Sequence, residues 1–395
     1  MADVRIESDP NLIMGKPDVY RRLQRHLDSM PIPFPATESG VELRFLRRLF
    51  DPEEARIALA LNVLPEPVEK IHRRLKGDPP LEELRRRLVG LVRKGAINSG
   101  AVRRKGRTVP GYGKAPLVIG MFEFQVNRLT RETVEDFHAY MEEGFREAMF
   151  TGKTGQMRTV PINAEVVAPG ESGGEVGRYD DLRAYVRETA GPFGVMNCVC
   201  REARGLVGES CRITDDHETC LSIGGSALWL RRMGKARLVS REQFLELLDR
   251  AERTGLVLQP QNNREPGFVC CCCPECCEVL SNARRLPRPV EFFRPNYQAG
   301  VDSGACSGCG RCLKRCPMQA LSLAGGAARV DPERCIGCGL CATTCPDQAI
   351  RLHPAAQRRV PPRNAQGMYR KIMFERDGVL GTLVKGARLL LGRKV

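Results

Sequence analysis

Two cysteine runs, each twelve residues long, constrain what this chain can fold into. Residues 306–317 read CSGCGRCLKRCP and residues 335–346 read CIGCGLCATTCP. Both follow the spacing C-x2-C-x2-C-x3-C-P, and the second repeats the first at a displacement of 29 positions, which is an internal repeat. Glycines at 308, 310, 337 and 339 lie between the thiols, where the backbone must turn tightly for three sulfurs to converge on one centre.

Soft thiolates at this spacing suit iron–sulfur clusters, whereas a zinc site takes four ligands and does not need two interleaved runs with a trailing proline. Residues 298–353 resemble the bacterial two-cluster ferredoxin module. The resemblance implies short strands over 320–323 and 349–352. It implies one 4Fe-4S cluster held by Cys306, Cys309, Cys312 and Cys345, and a second held by Cys335, Cys338, Cys341 and Cys316.

Ten further cysteines are candidate metal ligands. They are Cys198, Cys200, Cys211, Cys220, Cys270, Cys271, Cys272, Cys273, Cys276 and Cys277. Successive side chains diverge along an extended backbone, so the run CCCCPECC indicates at least two sulfur-binding loci. Ten thiols could supply two more four-cysteine clusters with two to spare, or one cluster plus reactive or zinc-binding thiols. Some could instead be small buried apolar residues. We expect one or two 4Fe-4S clusters here beyond the two of the ferredoxin-like module.

A helix is expected between the two parts of this second cysteine group. Ser240 and Gln243 form a capping-box pattern, apolar residues follow at helical spacing, and Gly255 marks the stop. The helix would bring segments 198–220 and 270–277 together in one metal-binding domain. A C-x-C-R segment, a later cysteine pair and a cysteine-rich string before the ferredoxin repeat resemble a set of larger ferredoxin-like proteins of anaerobes.

Length and composition predict the number of domains and the cellular compartment. A length of 395 residues suits about two to four domains of roughly 150 residues. All 18 cysteines follow residue 197. The start of the sequence lacks the basic and apolar regions of a signal peptide, and no apolar stretch approaches the length of a membrane span. We therefore expect a cytoplasmic protein with reduced thiols.

The N-terminal part carries helix signals near Asp51, Val68 and Leu81, then a strand, a basic turn and a strand returning towards residues 117–119. Three helices and a hairpin resemble a winged helix-turn-helix domain. Residues 84–107 contain no acid and nine basic residues, namely Arg85, Arg86, Arg87, Arg93, Lys94, Arg103, Arg104, Lys105 and Arg107. Duplex DNA is therefore a candidate partner. The alternatives are a solvated surface and a protein-docking module.

The predicted fold class is α+β with several domains. They are a winged-helix-like domain (1–120), an α/β connector region (121–178), a Cys-rich metal-binding domain (179–290), a two-cluster ferredoxin domain (298–353) and a basic amphipathic tail (354–395). The tail would lie on a membrane surface, dock on a partner or pack against its own domain. The sequence contains no nucleotide-binding fingerprint, so no nucleotide cofactor is indicated.

These features predict an iron–sulfur electron-transfer protein or subunit of an anaerobic redox system, with a redox protein or complex as its partner. Two alternatives are a redox-responsive DNA-binding regulator and an oxidoreductase whose active centre lies in the Cys-rich domain. The sequence does not decide whether the protein is an enzyme, and no catalytic residue is assigned.

Overall fold

The computed structural model describes residues 18–104, 106–170 and 175–390. They form two compact units. The first comprises the described residues of 1–121, 135–148 and 383–395, and the second comprises those of 122–134 and 149–382. The predicted boundaries at 120, 178, 290 and 353 stay predictions.

Helices dominate the part of the chain up to residue 150. They are α1 (Val19–Asp28), α2 (Val41–Leu49), α3 (Pro52–Ala58), α4 (Val68–Arg74), α5 (Leu81–Lys94), α6 (Arg131–Tyr140) and α7 (Arg146–Phe150). Asp51 and Glu54 form the capping box of α3, and Gly95 ends α5 in the left-handed region at φ 78°. Both ends agree with the sequence signals, because a carboxylate satisfies free N–H groups and glycine adopts positive φ without strain.

A three-stranded antiparallel sheet completes the first unit. Its strands are β1 (Glu66–Pro67), β2 (Ile97–Arg104) and β3 (Arg107–Lys114), in the order β1-β3-β2. The predicted hairpin is confirmed, and Arg104 pairs with Arg107 beside its turn. The returning strand ends at Lys114 rather than at 117–119, since Pro116 has no N–H to donate to a ladder. The winged-helix assignment itself stays a prediction.

The second unit contains a five-stranded antiparallel sheet in the order β6-β4-β5-β8-β7. Its strands are β4 (Phe193–Met196), β5 (Cys220–Ile223), β6 (Arg237–Val239), β7 (Val257–Pro260) and β8 (Phe268–Cys272). The helices of this part are α8 (Glu175–Asp180), α9 (Leu182–Glu188), α10 (Val199–Leu206), α11 (Gly225–Arg232), α12 (Arg241–Thr254), α13 (Glu278–Arg284) and α14 (Pro289–Phe293).

Helix α12 is the helix predicted between the two cysteine segments. Ser240 and Gln243 make both capping-box hydrogen bonds, Phe244 and Leu248 are buried, and Gly255 ends the helix at φ 94°. The prediction is confirmed, because the apolar stripe of the helix requires a core to cover it and its ends carry their own hydrogen-bonding partners.

The two cysteine runs lie among two small antiparallel sheets. One pairs β9 (Tyr297–Val301) with β12 (Ile350–Pro354), and the other pairs β10 (Leu321–Ala324) with β11 (Ala327–Val330). Helix α15 (Arg311–Arg315) lies within the first run. The two strands predicted after the runs are therefore present as β10 and β12.

The C-terminal helix α16 (Ala365–Leu390) is interrupted at Gly378. The predicted apolar face includes Val379, Leu380, Leu383 and Val384, all of which are exposed. Leu391 lies outside the described residues. No helix among the described residues is long and apolar enough to cross a membrane. Membrane or partner contact by the tail stays a prediction.

Candidate iron–sulfur and thiolate sites

Four cysteines from both runs line one cavity. Cys335, Cys338 and Cys341 from the second run are buried there, and Cys316 comes from the end of the first run. The rest of the lining is mainly apolar, including Met318 and Ile336. The chain thus brings together four thiols from two runs, which is the interleaved set that the ferredoxin resemblance implies.

The glycine at the second position after the leading cysteine of each run is required by a close approach. Gly308 and Gly337 have φ of 69° and 68°. A Cβ at Gly308 would lie 2.4 Å from the carbonyl oxygen of Gly326, and one at Gly337 would lie 2.2 Å from that of Tyr297. These contacts are too short for any side chain, so each run is held against a neighbouring backbone only because glycine stands there.

The other predicted ligand set lies closer to solvent. Cys306 and Cys345 pack against a small core that contains Cys312 and Ile350. Cys309 is exposed, whereas Cys335, Cys338 and Cys341 of the second set are each 8% exposed. The module therefore has one accessible ligand set and one buried set.

Backbone amides point at the sulfurs of the module. The N–H groups of Ala320 and Ala328 donate to Cys316 Sγ at 3.2 Å and to Cys306 Sγ at 3.4 Å, and that of Ala299 donates to Cys335 Sγ at 3.4 Å. Such hydrogen bonds stabilise thiolate and tune the potential of a bound cluster.

Burial raises the pKa of several thiols of the module, including Cys338 and Cys341. An isolated buried thiolate is unfavourable, so these thiols lose their protons readily only to a metal. Four soft donors around one cavity, with amides aimed at the sulfurs, fit an iron–sulfur cluster.

In the Cys-rich domain the alternation of strand β8 sorts the adjacent cysteines. Cys270 and Cys272 project to one face of the strand and Cys271 to the other. Cys270 lies directly opposite Cys220 of β5 in the antiparallel register. The cross-strand pair joins two cysteine segments that are 50 positions apart in sequence.

Six thiols form a group that we call the six-thiol ring, in which each thiol shifts the pKa of the next. In order around the ring these are Cys198, Cys200, Cys277, Cys272, Cys270 and Cys220. Hydrogen bonds from neighbouring thiols lower the pKa of every second member, that of Cys270 to about 6, and raise the pKa of the others.

Three other thiols form a separate cluster that we call the three-thiol group, made of Cys211, Cys273 and Cys276. Their sulfurs all lie within 4.8 Å of one another, and the Sγ atoms of Cys211 and Cys273 are 3.6 Å apart. The amide of Cys276 donates to Cys273 Sγ at 3.3 Å. The run CCCCPECC thus serves two loci, as its adjacent cysteines indicate.

Cys271 belongs to neither group. Its side chain is 3% exposed, burial raises the pKa of its thiol, and its amide donates to the carbonyl of Thr219 at 2.9 Å. Nine of the ten candidate ligands are therefore brought together in two groups, and the tenth is a small buried residue of the sheet.

Two polar residues beside the thiols were not singled out by the sequence. Arg201 is buried, and its guanidinium donates to Thr219 Oγ1 at 2.8 Å and lies 3.9 Å from Cys273 Sγ. Gln259 is fully buried and its amide lies 3.7 Å from Cys277 Sγ. Arg201 is the arginine of the C-x-C-R segment, so the sequence motif could have pointed to it. Gln259 lies in no motif, and no sequence signal could have found it.

The ferredoxin module contacts the Cys-rich domain through an arginine beside one of its ligands. Arg315 precedes Cys316 and donates to the carbonyl oxygens of residues 252–254, at 2.6, 2.8 and 3.0 Å. These carbonyls end helix α12, where a cation is favourable because they lack partners within the helix.

A second arginine makes an equivalent contact. Arg334 precedes Cys335 and donates to the carbonyls of Arg284 and Leu286, at 2.9 and 3.3 Å, at the C-terminal end of helix α13. Cys316 and Cys335 both belong to the buried ligand set. That set therefore lies on the side of the module that meets the Cys-rich domain.

Comparison with known proteins identifies the module. Residues 299–346 match a family described as a 4Fe-4S dicluster domain. No curated protein and no solved structure matches the chain. The chain therefore carries an iron–sulfur module of the ferredoxin type, and this supports a role in electron transfer.

Proposed function

We propose that the protein is an electron carrier of an anaerobic, cytoplasmic redox system, which links a redox partner protein to the thiols of its Cys-rich domain. The observation that carries this proposal is the attachment of the buried ligand set to that domain through Arg315 and Arg334. Two 4Fe-4S clusters would be held by the two interleaved cysteine sets and would supply one-electron chemistry at a potential set by the protein.

The two ligand sets of the module have different surroundings, which suit different roles. The exposed loop at Cys309 gives a partner access to one ligand set, and Arg311 and Lys314, which are exposed in the same run, favour a partner with acidic residues. The apolar lining around Cys338 keeps water from the other set.

Reduction of the anaerobically purified protein tests this proposal. We expect about eight irons and eight sulfides in the module, an absorption spectrum that bleaches with dithionite and recovers with an oxidant, and paramagnetic resonance signals in the reduced state. The variant Cys316→Ser should lose the signal of the buried set and keep that of the other. A bound chromophore that dithionite leaves unchanged would contradict electron transfer.

A redox-responsive DNA-binding regulator is the second candidate. Of the nine basic residues in 84–107, several are engaged by acids: Arg87 pairs with Glu83 and Arg104 with Glu69. Arg103 and Arg107 flank the turn of the β2–β3 hairpin, are exposed, and form no ion pair among the described residues. Basic residues at such a turn suit contact with phosphates.

The DNA hypothesis predicts a change in salt dependence. The double variant R103A/R107A should weaken binding to duplex DNA and lower the slope of log K against log salt by about two, since two phosphate contacts are lost. Arg87→Ala is the matched control and should leave the slope unchanged. If the unaltered protein does not bind DNA at low salt, this candidate is rejected.

A further inference from the structure

The spacing of thiols differs between the two cysteine regions. In the described part of the ferredoxin module, no three cysteines have sulfurs that all lie within 4.8 Å of one another. Cys211 and Cys273 have Sγ atoms only 3.6 Å apart. With Cys276 they form the one group, among the described residues, of three candidate ligand atoms that all lie within 4.8 Å of one another.

The close spacing fits one ion. Two thiolates that bind the same tetrahedral metal, each at 2.3 Å, have sulfurs about 3.8 Å apart. The thiolates of a cubane bind different irons and must lie further apart. The 3.6 Å between Cys211 and Cys273 therefore agrees with a shared ion. The amide of Cys276, which donates to Cys273 Sγ, supports a thiolate at that position.

A buried cation completes the charge balance. Arg201 is 3% exposed, and within the described chain it has hydrogen bonds to a carbonyl, a hydroxyl and the sulfur of Cys273 but no ion pair with a carboxylate. Its Nε has no hydrogen-bond partner in the described part of the chain. A guanidinium stays charged and requires nearby negative charge when buried. Three thiolates on a divalent ion carry one net negative charge, which Arg201 neutralises.

Among the described residues the group has no fourth protein ligand. No other histidine, cysteine or acid of the described residues joins it, and the carboxylate of Glu275 is bound to Arg212 at 2.8 and 2.9 Å. Three protein ligands with a free fourth position are typical of metal sites that bind a substrate or water.

We infer that Cys211, Cys273 and Cys276 bind one divalent ion, Zn²⁺ or Fe²⁺, through three thiolates, with a fourth position open to a small anionic or neutral ligand from solution. This site is distinct from the two clusters of the ferredoxin module and does not depend on their reduction. It would give the Cys-rich domain a place where a substrate could bind.

Metal analysis of the anaerobically purified full chain tests the inference. Cys211→Ser and Cys273→Ser should each lose one zinc or iron per chain and no acid-labile sulfide. The resonance signals of the reduced ferredoxin module should be unchanged. Cys271→Ala is the matched control and should keep the full metal content. Cys211 is only half-buried in a loop, so its variant tests the site even if Cys273→Ser does not fold.

Cobalt substitution tests whether the fourth coordination position of the metal is open. Protein produced with cobalt in the growth medium should show thiolate-to-cobalt absorption that is absent from Cys211→Ser, and added imidazole should shift the visible bands of the cobalt. Unchanged bands would show that the site is closed. Loss of about four irons with four sulfides in Cys211→Ser, or loss of no metal, would overturn the inference while leaving the electron-transfer proposal intact.

Discussion

The variant Gly337→Ala is expected to lose the buried cluster and keep the accessible one, so that the iron bound by the module falls by about four per chain. The methyl group would lie 2.2 Å from the carbonyl oxygen of Tyr297, the first residue of β9. Relief requires the run and the strand to separate, which removes Cys335 and Cys338 from their positions. Overpacking costs about 1–3 kcal/mol, and the left-handed backbone costs about 1–2 kcal/mol more.

Gly325→Ala separates these two effects. Gly325 also has positive φ, 61°, but a Cβ there would meet no described residue within 4 Å. This control suffers the backbone strain alone, and we expect it to keep its full iron content with a small loss of thermal stability. Full iron content in Gly337→Ala, determined together with sulfide, would show that the close approach to Tyr297 does not position the ligands.

The convergence of cysteines in the ferredoxin module could be predicted from sequence because a short repeat encodes it. Fixed spacing, intervening glycines and a trailing proline act within each run of twelve residues. The same local logic explains why the ends of α5 and α12 were predictable from Gly95 and from Ser240 with Gln243. In each case the residues that form the feature lie close together in the chain.

The grouping of the other ten cysteines depends on contacts between distant segments. The register that sets Cys220 opposite Cys270 is fixed by the pairing of β5 with β8, and a slip of one residue would have turned Cys271 inward instead. The roles of the acids beside Cys220 also depend on contacts with distant segments, which the sequence alone does not give. Asp216 pairs with Arg250 and Glu218 with Arg237, partners that lie on other elements of the domain.

Replacing Arg201 with methionine should weaken metal binding by the three-thiol group and, at saturating metal, destabilise the protein by about 3–5 kcal/mol, as expected when one partner of a buried charge pair is removed. The guanidinium lies 3.9 Å from Cys273 Sγ and also donates a hydrogen bond to the carbonyl oxygen of Asp216 at 2.6 Å. Metal content and the midpoint of thermal unfolding, both under anaerobic conditions, measure the two effects.

Arg204→Met is the matched control on the same helix, α10. Its guanidinium pairs with the carboxylates of Glu209 and Glu278, at 2.7 and 3.3 Å, rather than with sulfur. We expect it to keep its metal. Arg201→Lys retains the charge without the planar fork, so metal retention in this variant with lower stability would assign the effect on metal to charge and the effect on stability to geometry.

The size of the effect depends on the metal. With metal bound, the thiols beside Arg201 are thiolates, and the guanidinium stabilises the fold. After chelation Cys273 keeps negative charge at neutral pH, because the hydrogen bond from Cys276 lowers its pKa to about 6. The counter-charge of Arg201 is then smaller, and Arg201→Met should destabilise the domain less. Equal destabilisation with and without metal would contradict this reasoning, because it would assign Arg201 to the hydrogen bonds with Asp216 and Thr219 alone. A smaller destabilisation after chelation would identify Arg201 as the residue that couples the charge of the site to the stability of the domain.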